Sequence, residues 1–209
     1  MGSDRHRSVN GFSQRVPTAV FFMLAALLEI TTGQLRADPG YKVRAGTVSF
    51  SVGANVPFLK VSGSSSAVSG SGEGTVAGNV AQVRSAHFEL DPKTLKTGMS
   101  LRDEHMYQQV FTAANGSITP IVLRIGSFQA KRNPTSGKWE ANFQAQLTLR
   151  GATRPVRFHA SGEQKGTAVI VSAEGVVKTS QFGVKPITYS GARVNDEVNV
   201  MVRDLRVEP

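Results

Sequence analysis

The sequence contains no cysteine, and that one absence removes disulfide frameworks, thiolate zinc sites and cysteine nucleophiles together. Export to an oxidising compartment would create no pairing problem. No Ser stands in a Gly-x-Ser-x-Gly elbow, and no His-x-x-x-His or Glu-x-x-His pair occurs, so the chain lacks a recognisable catalytic or metal-binding set. The expectation is a protein that is not an enzyme and needs no cofactor or metal. The formal charge is +9, yet the basic residues stand singly, without runs of five or six and without the interleaved aromatics that stack bases. That pattern excludes nucleic acid as the expected partner and leaves a solvated basic surface suited to transient contact with anionic lipid headgroups.

What is present divides the chain in two. Arg5, Arg7 and Arg15 precede an uncharged apolar run, Ala19 to Leu28. Ten such residues fall far short of the roughly 20 that span a bilayer as a helix, which makes residues 1–37 a secretory signal peptide. Cleavage fits either Thr31-Thr32-Gly33 or Leu35-Arg36-Ala37; Glu29, directly after the run, leaves an uncleaved short anchor as the weaker alternative. The domain is then 38–209, and the destination is the periplasm.

From Tyr41 onward the dominant period is two, rich in Val, Ile, Thr and Phe and punctuated by Gly, as in antiparallel sheets. Strands are expected over 41–52, 75–90, 118–131, 138–150, 166–178 and around Val156 and Val200, with an extended piece over 56–62. The phase change at Gly46 predicts a β-bulge. Residues 63–74 read by composition as a flexible linker able to hide short strands, and 181–195 as a long loop. The period changes only over 97–111, which predicts one short helix with Ser100 as its cap and Asp103 and Glu104 in its first turn. Strands of about 10 to 13 residues exceed the usual five or six. Closing about eight of them into a barrel removes their exposed edges and leaves a narrow tube inside.

Three stretches carry a resemblance. Leu95 to Met106 holds a Thr-Gly segment followed by Arg102-Asp103-Glu104-His105; Leu147-Thr148-Leu149-Arg150-Gly151-Ala152-Thr153-Arg154-Pro155-Val156 holds a turn; Ser180-Gln181-Phe182-Gly183-Val184 precedes Asn195 to Val198. Together they make the chain similar to the YceI-like family of exported lipid-binding proteins. The resemblance implies an all-β, extended lipocalin-like eight-stranded antiparallel barrel with one short helix, a polyisoprenoid or comparable lipid inside it, and assembly as a homodimer. One departure is Thr179, where the family usually has Arg; another is Gly53 to Pro57, which replaces the usual continuation of the first strand.

The residues expected to line the interior are Phe50, Phe88, Phe111, Leu123, Phe128, Phe143, Leu147, Phe158, Val171, Phe182 and Val200, with Phe111 and Phe182 placed to cover a mouth. The opposing expectation is that these side chains fill the barrel completely. In that case the protein is an extracytoplasmic stress or interaction protein that binds a protein partner. Arg102, Asp103 and His105 form the densest polar cluster, but helical neighbours point to different sides, so a structural role for Asp103 outweighs catalysis. His87 and His159 fall on the polar parity of their strands and read as surface residues.

Overall fold

Alternation builds the walls. In the strand Trp139–Leu149, Trp139, Ala141, Ala145, Leu147 and Leu149 are buried, whereas Asn142, Gln144 and Gln146 are exposed. Successive side chains of a strand point to opposite faces, so one apolar parity suffices to make one apolar face. The computed structural model describes residues 40–189 and 191–209. The expected signal peptide lies outside them.

The strands are β1 (Gly40–Gly53), β2 (Lys60–Ser65), β3 (Ser69–Ala77), β4 (Val80–Leu90), β5 (Ile121–Ile125), β6 (Phe128–Arg132), β7 (Trp139–Leu149), β8 (Ala152–Lys165), β9 (Ala168–Lys178), the short β10 (Thr188–Tyr189) and β11 (Ala192–Arg193), and β12 (Glu197–Glu208). β2 and β3 both pair with β1, and β5 and β6 both lie between β4 and β7, so each couple is one wall strand with a break. The wall is thus an eight-stranded antiparallel barrel, closed where β12 meets β1. Among the described residues no helix is long and apolar enough to cross a membrane.

Several sequence expectations change. The linker expected over 63–74 is strand on either side of a short break, because main-chain pairing with β1 and β4 needs no side chains. The strand expected over 75–90 reverses at Gly78, whose φ of 56° suits glycine, and becomes the end of β3 and all of β4. The extended piece expected over 56–62 begins instead with a turn closed by Leu59 N–H donating to Val56 O. Within 181–195 lie the end of a one-turn 3₁₀ segment, Thr179–Phe182, and the β10–β11 hairpin.

The bulge at Gly46 is present: pairing of β1 with β12 slips twice between Val43 and Thr47. A Cβ at Gly46 would sit 2.7 Å from Leu205 Cδ1 and 3.0 Å from Leu205 Cα, so β12 passes close over the bare backbone there. The helix, α1 (Ser100–Met106), continues as a π turn over Tyr107–Phe111. Ser100 is not its cap. Met99 holds that position with no side-chain bond.

Chain direction sorts the connections to two ends. Residues 78–79, 133–138 and 166–167 are short hairpins at one end; residues 54–59, 91–120, 150–151 and 179–196 gather at the other. Each end has its own packed cluster. A large one under α1 includes Leu90, Leu95, Phe111, Leu149 and Phe182, and a small one at the hairpin end holds Ala130, Trp139 and Ala141.

Candidate ligand cavity

The barrel is hollow. A cavity of about 870 Å³ is lined from Tyr41, Val76 and Val207 near the hairpin end to Ile187, Arg193 and Asp196 near the loop end. Its walls come from the inward parity of nearly every strand: Val48, Phe50 and Val52 on β1, Ile121, Leu123 and Ile125 on β5, Val198, Val200 and Val202 on β12. Strands of 11 to 14 residues, at about 3.4 Å per residue and tilted about 40°, give the tube an axial length of roughly 30 Å.

Phe50, Phe88, Phe111, Leu123, Phe128, Phe143, Leu147, Phe158, Val171 and Val200 line this space. Phe182 does not. It is only 3% exposed and packs into the core cluster beneath the 3₁₀ turn, so it supports the loop end instead of facing the lumen. Sequence reasoning missed Val48, Val52, Ile121, Ile125, Val177 and Leu205. For the first four the signal was available, since each lies two residues from a lining residue already named.

The aromatic rings follow a pattern that composition does not reveal. Phe50 is paired directly with Gly63, Phe88 with Gly70 and Phe158 with Gly175. A Cβ on those glycines would fall 2.6, 2.6 and 2.7 Å from the facing ring, so each ring lies over the bare backbone of its neighbour. A ring laid against the wall covers polar main chain and leaves the bore open. Farther along, Phe128 and Phe143 stack with centroids 4.5 Å apart, and Phe143 and Phe158 at 5.9 Å, forming a continuous aromatic strip.

The polar cluster stands apart from this lumen. Asp103 is buried, and its Oδ1 accepts from Thr97 N–H at 2.8 Å and from Thr97 Oγ1 at 2.6 Å. Arg102 closes on the same residue, Nε donating to Thr97 Oγ1 at 2.9 Å and Nη2 to Thr97 O at 2.6 Å. The bonds from Thr97 hold the Asp103 carboxyl below its ordinary range, with Lys96 and Arg102 adding to the effect against the opposing cost of burial. Asp103 and Arg102 therefore fasten the start of α1 to the Thr97 segment. His105 is half-buried on α1 and does not line the cavity. His87 bonds to Glu89 at 2.8 Å, and His159 to Asn142 at 3.1 Å, both on the outside.

At the loop end the lining turns polar. Asp196 accepts from Thr179 Oγ1 at 2.9 Å, from Ser180 N–H at 2.7 Å and from Ser180 Oγ at 2.6 Å, and all three residues face the cavity. Desolvation pushes the Asp196 carboxyl up, but the bonds from Ser180 and Thr179, with Lys178 nearby, outweigh it and hold the group below its ordinary value. Thr179 thus serves as a hydrogen-bond donor to a loop carboxylate.

A polyisoprenoid binding domain from Saccharophagus degradans, implicated in plant cell wall breakdown, superposes with a TM-score of 0.59 at 14% identity, over 80% of this chain and 97% of that one. BcnA of Burkholderia cenocepacia superposes with a TM-score of 0.56 at 17% identity, over 78% of this chain and 96% of that one. At such identities the likeness is one of fold. Among curated proteins none matches the sequence. The sequence itself matches the YceI-like domain over residues 41–203, nearly the whole barrel from the first strand into the last, and the chain belongs to the YceI-like family.

Proposed function

We propose that this protein sequesters or carries a long apolar lipid, polyisoprenoid or quinone-like, in the barrel interior. The observation that carries the reading is the cavity: about 870 Å³, lined along its length chiefly by Val, Ile, Leu and Phe. Small-molecule sites commonly measure roughly 300–1,000 Å³, so the space accommodates one chain-like ligand. Transfer of apolar surface out of water stabilises the complex by roughly 25 cal/mol per Å². An extent from Tyr41 and Val207 near one end to Ile187 and Asp196 near the other favours a chain over a compact ligand. The polyisoprenoid binding named for the Saccharophagus domain supports the same class of ligand here.

The reading is of a binding protein without an enzymatic step or cofactor, in which Arg102 and Asp103 hold a loop and do no chemistry. Export through residues 1–37 to the periplasm, with 38–209 as the mature lipid-binding domain, rests on the layout of the N-terminal segment. A completely filled barrel, the basis of the partner-protein alternative, is disfavoured by the size of the cavity.

Native mass spectrometry of the purified protein, followed by organic extraction, tests the proposal. A stoichiometric isoprenoid or quinone-like molecule is expected. Leu147→Trp and Phe158→Trp place extra bulk in the lumen and should abolish that signal while a cooperative thermal transition is kept. A protein that stays empty when offered such lipids, or variants that load as well as the parent, would overturn it.

A further inference from the structure

The turn between β1 and β2 presents an unusual group of side chains to water. Phe58 is fully exposed, and Val56 and Leu59 on either side are 43% and 44% exposed. Pro57 stands at the second position of the turn and Phe58, with φ of 65°, at the third, as in a type II turn. That third position ordinarily takes Gly or Asn, and an aromatic residue there is strained. Strain of this kind persists where the surroundings over-determine it, often at functional sites. Here they do. Ala54 N–H donates to Leu59 O, Asn55 N–H donates to Arg193 O, and Asn55 Oδ1 accepts from Arg193 N–H at 2.7 Å.

These same bonds fasten the turn to the loop end of the cavity, because Asn55, Arg193 and Val194 all line it. Lys60, Lys185 and Arg193 are exposed around it. The neighbouring carboxylates are already engaged, Asp196 by Thr179 and Ser180 and Glu197 by Lys178 at 3.2 Å. Met99 and Leu101, at the start of α1, are exposed at the same end. Of the seven exposed large apolar residues among those described, five thus belong to the loop end. Apolar side chains ringed by cations, at the opening of an apolar tube, match one partner: the surface of an anionic lipid bilayer, which offers hydrocarbon below a layer of negative headgroups.

We propose that the Val56–Leu59 turn is a membrane-docking finger, which inserts Phe58 and Leu59 below anionic headgroups and sets the cavity mouth against the bilayer for lipid exchange. The exchange part rests on the carrier function proposed above; the docking part does not.

The test is co-sedimentation of the protein with vesicles of equimolar phosphatidylglycerol and phosphatidylcholine, with extracted lipid measured separately on the same preparations. All variants keep the parent's N-terminus, so any contribution of residues 1–39 cancels. Phe58→Asp should weaken vesicle binding by roughly tenfold or more, the cost of withholding one aromatic side chain from hydrocarbon. Val176→Asp, on the exposed outer wall of β9, should leave it unchanged. Added salt should weaken binding of the parent protein. Trp139 is the single Trp and is buried, so Phe58→Trp supplies a reporter whose emission should shift to the blue on anionic vesicles.

Equal binding by parent and Phe58→Asp, an unshifted Phe58→Trp spectrum on bound protein, or a self-association lost in Phe58→Asp without vesicles would overturn the docking role. The last result would assign the turn to a second copy of the chain. Docking with an empty barrel would sink the carrier reading alone, and a loaded barrel that ignores vesicles would sink the finger alone.

Discussion

The two ends of the barrel differ in the length of their connections, and each has its own packed cluster. At the hairpin end the connections are short, and Trp139 packs with Ala130, Ala141, Ala81 and Phe128, with Arg132 5.6 Å from its ring centre. At the loop end long segments are held by polar ties: Thr97 to Asp103 and Arg102, Tyr107 Oη to Leu95 O at 2.8 Å, and Asp196 to Thr179 and Ser180. Short connections cost little entropy and can rely on side-chain packing, whereas long ones need specific bonds to hold them. The loop end adds these polar ties to a large apolar cluster that includes Leu90, Leu95, Phe111, Leu149 and Phe182, whereas the hairpin end has a small one.

The sharpest way to break this comparison is at Trp139. Trp139→Ala should cost about 3–5 kcal/mol in denaturant unfolding, as for other large-to-small core changes. Trp139→Phe should stay within about 1 kcal/mol of the parent, because the indole Nε1 is buried without a hydrogen-bond partner and its removal relieves an unmet donor. Next comes the glycine pairing. Gly175→Ala brings a Cβ against Phe158 and the Arg157 carbonyl and should cost about 1–3 kcal/mol while lowering lipid content. Gly162→Ala, whose Cβ meets ordinary contacts at 3.6–3.8 Å, should change stability by about 0.5 kcal/mol or less, so the pair separates bore shaping from a general intolerance of alanine.

Asp103→Ala removes the acceptor for two Thr97 bonds and should cost about 1–3 kcal/mol, with faster hydrogen exchange over 97–111 and unchanged emission from Trp139. Its sign in pH is fixed by the lowered carboxyl. The ionised form stabilises the fold fully above the ordinary value of 3.8, and that contribution is lost as pH falls through the lower folded value. The stability gap between parent and Asp103→Ala should therefore narrow below about pH 4 in acid titration of unfolding. A smaller loss than at Asp103 is expected for Asp196→Ala, about 0.5–1.5 kcal/mol at an exposed site, detected as faster exchange over 179–196.

Much of this was legible beforehand because it depends on short-range periodicity. The alternation of Phe143, Ala145, Leu147 and Leu149 defines an inward face wherever β7 lies, and the phase slip at Gly46 requires a bulge with any partner. The strand hidden in Gly70-Ser71-Gly72-Glu73-Gly74 was not legible. Its stability comes from main-chain bonds to β4 and from the space it leaves for Phe88, neither of which is written in its own side chains. Phe182 shows the same limit: an apolar residue near a mouth is equally compatible with lining a lumen or backing a turn, and only the path of residues 179–196 selects the second.

By itself the sequence determined an antiparallel all-β wall, one short helix, a cysteine-free basic chain and the family to which it belongs, because period, composition and motif spacing are properties of the chain alone. Tertiary structure decided that the barrel is hollow, that glycines receive the phenylalanine rings, that Asp103 is a clasp, and that Phe58 is exposed in a turn tied to the loop end. Each of these depends on which strands become neighbours, and pairing across the closed sheet is set by packing and register over the whole barrel.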